Sequence, residues 1–152
     1  MRLVRVLIAE DNEDHLFLAR VALQAVQGVQ IEVVAVQDGQ EALDFLFGND
    51  ARQPCKDLDS LGLVLLDVKL PKVSGLEVLK GIRSSPLTNW LPVVMVTSSD
   101  EPADLLNAYR LGANSFITKS INYREFTEQM KLLARYWLFV NKVPKAGAVR
   151  SL

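Results

Sequence analysis

Leu61-Gly62-Leu63-Val64-Leu65-Leu66-Asp67 is a run of six residues without a polar side chain that ends directly in an acid. Near-continuous apolar runs of this length are what a strand covered by helices on both faces requires. Working outward, three more runs end in the same way. Leu3-Val4-Arg5-Val6-Leu7-Ile8-Ala9 leads into Glu10-Asp11, Val93-Val94-Met95-Val96 into Thr97, and Ser115-Phe116-Ile117-Thr118 into Lys119. A further β-branched run, 31–36, has no such ending.

Helical patterns alternate with these strands. Leu16, Ala19, Leu23 and Val26 recur at helical spacing after Asp11-Asn12, with Gly28 as the expected stop. Asp38-Gly39 turns into a helix over 40–47, and Gly75 opens one carrying Leu76, Leu79 and Ile82. Asp100 and Pro102 signal a helix start, and Phe126, Met130, Leu133 and Trp137 share a face of the last helix, from about Tyr123. The polar connection 48–60 is long for this architecture.

Strands alternating with helices imply an α/β fold, a (βα)5 three-layer sandwich around a parallel five-stranded sheet. The flavodoxin-like order 2-1-3-4-5 sets strands one and three side by side and makes their carboxyl ends the switch point where ligands collect. Glu10, Asp11 and Asp67 are expected to meet there, with Thr97 and Lys119 on the neighbouring strand ends.

Composition narrows the function classes. Of 152 residues, 17 are Lys or Arg and 18 Asp or Glu, a formal net charge of -1 with no basic stripe, so direct DNA binding is not expected. No apolar stretch approaches the ~20 residues of a membrane helix, and no secretory leader opens the chain. Cys55 is the only cysteine, which excludes an internal disulfide and fits a reducing cytoplasm.

Carboxylates gathered at ~4 Å repel by about 4 kcal/mol per pair at an effective dielectric near 20. Unless protonated, they call for a cation. With one histidine and one distant cysteine a zinc site is not expected, and there is no EF-hand loop. Mg²⁺, which takes a few carboxylates plus water and phosphate, suits the set best. Asp67, at the tip of the most buried strand, is placed to act as a nucleophile toward a phosphoryl group. Lys119 and Thr97 are placed to meet the charge spread over the phosphoryl oxygens. His15 reads as a helix-start residue, and Phe116, on its own, as a core aromatic.

These residues together resemble the response regulator receiver domains. The resemblance rests on Val6-Leu7-Ile8-Ala9-Glu10-Asp11, Leu65-Leu66-Asp67-Val68-Lys69-Leu70-Pro71 with Gly75, Val94-Met95-Val96-Thr97-Ser98, and Gly112-Ala113 with Phe116-Ile117-Thr118-Lys119. It covers roughly residues 3 to 137. It implies that Asp67 accepts a phosphoryl group from a sensor histidine kinase. It also implies that Asp11, Asp67 and the Lys69 carbonyl bind Mg²⁺, with Glu10 acting through water, and that Thr97 and Phe116 form the switch. The protein would catalyse only its own phosphorylation and dephosphorylation. Ser120 stands where the family often has a proline after a cis peptide, Glu10 where aspartate is commoner, and Lys69 and Ser99 at positions that tune acyl-phosphate hydrolysis.

The long loop before strand three, Lys69-Leu70-Pro71-Lys72 and Tyr136-Trp137-Leu138 are most similar to receivers that partner phytochrome-type kinases. The expected organisation is a receiver domain over 1–140 and a tail over 141–152, with no separate output domain. The apolar Trp137-Leu138-Phe139-Val140 points to a homodimer through the last helix and tail, or to the tail folding back on its own core. The alternative function is a docking or dimerisation module of the same fold that works without phosphorylation. A phosphatase would want an acid where Lys69 stands, and a flavin carrier a hydroxyl-rich loop where the acids follow strand one.

Overall fold

The computed structural model describes residues 2–50, 53–55 and 58–144. Strands β1 (Leu3–Ala9), β2 (Gln30–Val36), β3 (Leu61–Leu66), β4 (Val93–Thr97) and β5 (Ser115–Thr118) alternate with helices α1 (Glu13–Gln24), α2 (Gly39–Phe47), α3 (Gly75–Ser84), α4 (Pro102–Arg110) and α5 (Tyr123–Arg135). The strands are all parallel, in the order β2-β1-β3-β4-β5. This is the topology expected from the sequence, and it sets the ends of β1 and β3 side by side.

Each face of the sheet carries its own core. Leu7, Ala9, Val64 and Leu66 pack with Phe45, Leu79, Ile82 and Ala108 on one side. Val6, Ile8, Leu63 and Leu65 pack with Ala19, Leu23, Phe126 and Met130 on the other. Alternation along a strand explains this division, with one break. Leu61 shares a face with Val64 because the β1–β3 register slips between Arg5 and Val6, so that Arg5 opposes Leu61 and Val6 opposes Leu63. Gly62 lies at that slip, where an added Cβ would come within 2.7 Å of Val4 Cγ1.

Helix boundaries add to the sequence reading in three places. α1 stops at Gln24, with Val26 in the turn beyond it, and Gly28 (φ 88°) makes the reversal into β2 instead of ending the helix. α4 begins at Pro102, as its start signal implied, and Glu101 caps it without a side-chain cap hydrogen bond. The last helix runs on through a π-type turn, Tyr136–Val140. Leu138 is buried among the α1–α5 core residues and its carbonyl accepts from Arg2 Nη2 at 2.6 Å. Phe139 and Val140 are exposed. The apolar stretch therefore folds back through one residue and leaves two on the surface. Of the expected tail, 145–152 lie outside the described residues.

Candidate functional site

The sheet ladder carries on for one hydrogen bond past each strand end, and this holds the site residues in place. Glu10 N–H donates to the Val36 carbonyl (3.0 Å), Asp67 N–H to that of Ala9 (3.1 Å) and Lys119 N–H to that of Thr97 (2.8 Å). Gly75 lets α3 begin against this rim, since a Cβ there would lie 1.9 Å from the Asp67 carbonyl oxygen. Backbone hydrogen bonds of this kind fix direction, so these side chains emerge together.

Glu10, Asp11 and Asp67 each bring a carboxylate oxygen to within 4.8 Å of the others. Glu10 and Asp67 are buried and Asp11 is exposed. The buried Lys119 ammonium donates to Asp67 Oδ2 at 2.9 Å, to Glu10 Oε1, and lies 3.0 Å from His15 Nδ1. An ammonium has three N–H groups, and here each meets an acceptor. Lys69 N–H donates to Asp67 Oδ1 at 3.1 Å. The buried Thr97 hydroxyl lines the same pocket and accepts from Ser99 N–H at 3.1 Å.

These contacts divide the charge unevenly. Burial pushes the Asp67 carboxyl up, but Lys119, the Lys69 N–H and Thr97 together outweigh it and hold the group below its ordinary value. Burial wins at Glu10, which is pushed up to about 7 even though it shares the same ammonium. One cation cannot fully offset two buried acids, and Asp67 has the additional donors. Burial first, then Lys119, lowers His15, so its ring is neutral at pH 7 and accepts from the ammonium at Nδ1. The donor set fits a divalent cation. With Glu10 ionised, three carboxylates less one ammonium leave two negative charges, and all the donors are hard oxygens.

The structure brings together Glu10, Asp11, Asp67, Lys69, Thr97 and Lys119 in one open pocket. Phe116 is not among the residues lining it; it stands half-buried on β5, opposite Met95 and against the core. No peptide bond among the described residues is cis, so the Lys119-Ser120 bond is trans, and Lys119 still reaches both acids. His15 stands in the first turn of α1, as expected, and is in addition a half-buried wall of the pocket and a partner of Lys119. Its position in the first turn after the Asn12 cap, a few residues beyond Glu10, was the available signal.

Residues 6–131 match the family described as the response regulator receiver domain. The chain belongs to this family. Receivers are signalling modules of phosphorylation-based two-component systems and bind Mg²⁺ or Mn²⁺ at an acidic pocket. The chain is 29% identical over 141 residues to response regulator Rcp1 of Synechocystis, covering 93% of each. The Mn²⁺-bound form of Rcp1 superposes with a TM-score of 0.82 over 93% of this chain and 99% of that one. The phosphorylated cyanobacterial phytochrome response regulator RcpA is 34% identical, with a TM-score of 0.81 and the same coverage. The chain is also 33% identical over 142 residues to a protein of Methanothrix harundinacea named "Probable methanogenesis regulatory protein FilR2", covering 91% of this chain and 86% of that one.

Proposed function

We propose that this protein is a single-domain response regulator whose phosphoacceptor is Asp67. The observation that carries the reading is the Lys119 ammonium, bridging Asp67 and Glu10 in a pocket that the Thr97 hydroxyl also lines. In the transfer, an Asp67 carboxylate oxygen bonds to phosphorus as the bond from phosphorus to a kinase histidine nitrogen breaks, and that electron pair returns to the imidazole. Asp67 is suited to the attack because it is ionised across the neutral range. Lys119 pairs with one phosphoryl oxygen and Thr97 donates to another, which offsets the charge spread over them. Asp11, Asp67 and the Lys69 carbonyl would hold Mg²⁺, with Glu10 acting through water. Bound there, Mg²⁺ supplies charge neutralisation for the phosphoryl oxygens.

Thr97 and Phe116 form the switch in this reading. The Thr97 hydroxyl leaves Ser99 N–H for the phosphoryl group, and the half-buried Phe116 ring turns inward in response. The kinase partner is a sensor histidine kinase of the phytochrome type, as the likeness to Rcp1 and RcpA supports. Exposed Leu132, Tyr136, Phe139 and Val140 on the last helix and its π turn support a homodimer through that face. The protein would act in the cytoplasm by protein contact. Among the described residues no helix is long and apolar enough to cross a membrane.

The test is intact mass after incubation with Mg²⁺ and a small acyl-phosphate donor. Wild type should gain about 80 Da, one phosphoryl unit, and Asp67→Asn should gain nothing. An adduct that persists in Asp67→Asn removes the assignment.

A further inference from the structure

A chain of contacts leaves the Asp67 carboxylate and comes back to the pocket at Thr97 through a residue outside it. Lys69 N–H donates to Asp67 Oδ1 (3.1 Å). The Lys69 ammonium lies 3.6 Å from Asp104 Oδ2. The same oxygen accepts from Ser99 Oγ at 2.6 Å. Ser99 N–H donates to Thr97 Oγ1 (3.1 Å), and Thr97 lines the pocket with Asp67. Asp104 is buried in the first turn of α4 and does not line the pocket.

Half of what Asp104 does has a structural explanation. Glu101 gives α4 no side-chain cap, and Ser99 with Asp104 takes over that end of the helix. Capping does not explain why Lys69, from the loop after β3, reaches the same oxygen. The Lys69 side chain is 63% exposed and its ion-pair partner among the described residues is Asp104. Its backbone, however, is bonded to the phosphoacceptor. A phosphoryl group on Asp67 brings a dianion within the sweep of that flexible four-carbon stem.

We propose that Asp104 is a positioning residue that holds the Lys69 ammonium away from the phosphoryl group and so keeps the phosphorylated state of Asp67 short-lived. The proposal rests on the reading of Asp67 as the phosphoacceptor. In the step it controls, the oxygen of water bonds to phosphorus as the bond from the Asp67 oxygen to phosphorus breaks. The electron pair returns to the carboxylate, and both protons of the water leave on the released dihydrogen phosphate. An ammonium laid over the phosphoryl oxygens on the open side of the pocket obstructs this attack and stabilises the dianion. Asp104, by pairing with Lys69, prevents that arrangement.

The experiment is the half-life of the phosphorylated protein in Asp104→Asn, Lys69→Ala and the double variant, followed by intact mass. The amide of Asp104→Asn still accepts from Ser99 but no longer carries a charge for Lys69, so the end of α4 is preserved. Asp104→Asn should lengthen the half-life about threefold, the scale of a partly exposed ion pair. Lys69→Ala serves as the reference for the double variant, because it removes the ammonium that Asp104 is proposed to restrain. The double variant should match Lys69→Ala, so that Asp104→Asn has no effect once the ammonium is gone, and Asp104→Glu should stay short. An unchanged half-life in Asp104→Asn, or an equal lengthening with and without Lys69, overturns the proposal. Failure of the wild type to gain the adduct, or an adduct in Asp67→Asn, would instead overturn the phosphoacceptor reading.

Discussion

Replacing Lys119 by Met keeps most of a buried aliphatic stem, 3% exposed in the native side chain, and removes only the ammonium. Glu10 and Asp67 then face one another with carboxylate oxygens within 4.8 Å and no cation between them. At that separation and an effective dielectric near 20, the repulsion is about 3 kcal/mol. Breaking one side of a buried charge pair costs a similar amount in general. With a chelator present, Lys119→Met should therefore lose about 1.4 kcal/mol at pH 8, one unit above the native Glu10 value of about 7, and approach about 3 kcal/mol only at higher pH, where Glu10 is ionised without its cation. The loss should shrink on two changes of condition. Glu10 already titrates at about 7 beside Lys119; without it the value rises, so at pH 6 the acid is protonated and the repulsion is gone. Saturating Mg²⁺ should also remove most of the loss by replacing the missing charge. Urea unfolding at pH 6 and 8, with chelator and with Mg²⁺, measures all four cases. A deficit of the same size in every condition would refute the electrostatic argument and assign Lys119 to packing. A deficit that grows with Mg²⁺ would refute it as well.

Two further outcomes follow from the same geometry. The folded pKa of His15 lies below its ordinary 6.5. Its neutral form thus adds stability that is fully present above pH 6.5 and is lost as pH falls through the folded value. His15→Gln should reduce the loss of stability seen between pH 7.5 and 5.5. Glu10 contributes with the opposite sign over that window, so the comparison is wild type against variant, by urea midpoint; parallel curves would show that His15 does not titrate there. On the last helix, Leu132→Asp with Phe139→Asp should turn a homodimer into a monomer in sedimentation equilibrium. Each apolar side chain withdrawn from an interface costs about 2 kcal/mol, enough to raise the dissociation constant more than tenfold. An unchanged mass would place the contact elsewhere.

Much of this protein is determined by its sequence alone. The apolar runs ending at Glu10, Asp67, Thr97 and Lys119 specify strands, and chirality with alternation restricts the sheet to a few doubly wound orders, of which β2-β1-β3-β4-β5 is the one found. That is a backbone-level result, because strand direction dictates where the next residue emerges. What depended on side-chain reach came only with tertiary structure. His15 proved to be the third acceptor of a lysine 104 positions away, and Asp104 joined two loops that the sequence separates. The apolar ending divided between the buried Leu138 and the exposed Phe139 because a π-type turn, with more residues per turn than an α-helix, changed which faces they present. Periodicity describes elements one at a time. Which acceptor a buried ammonium finds is decided by the loops and helices that close over it, and these meet only when the chain is folded.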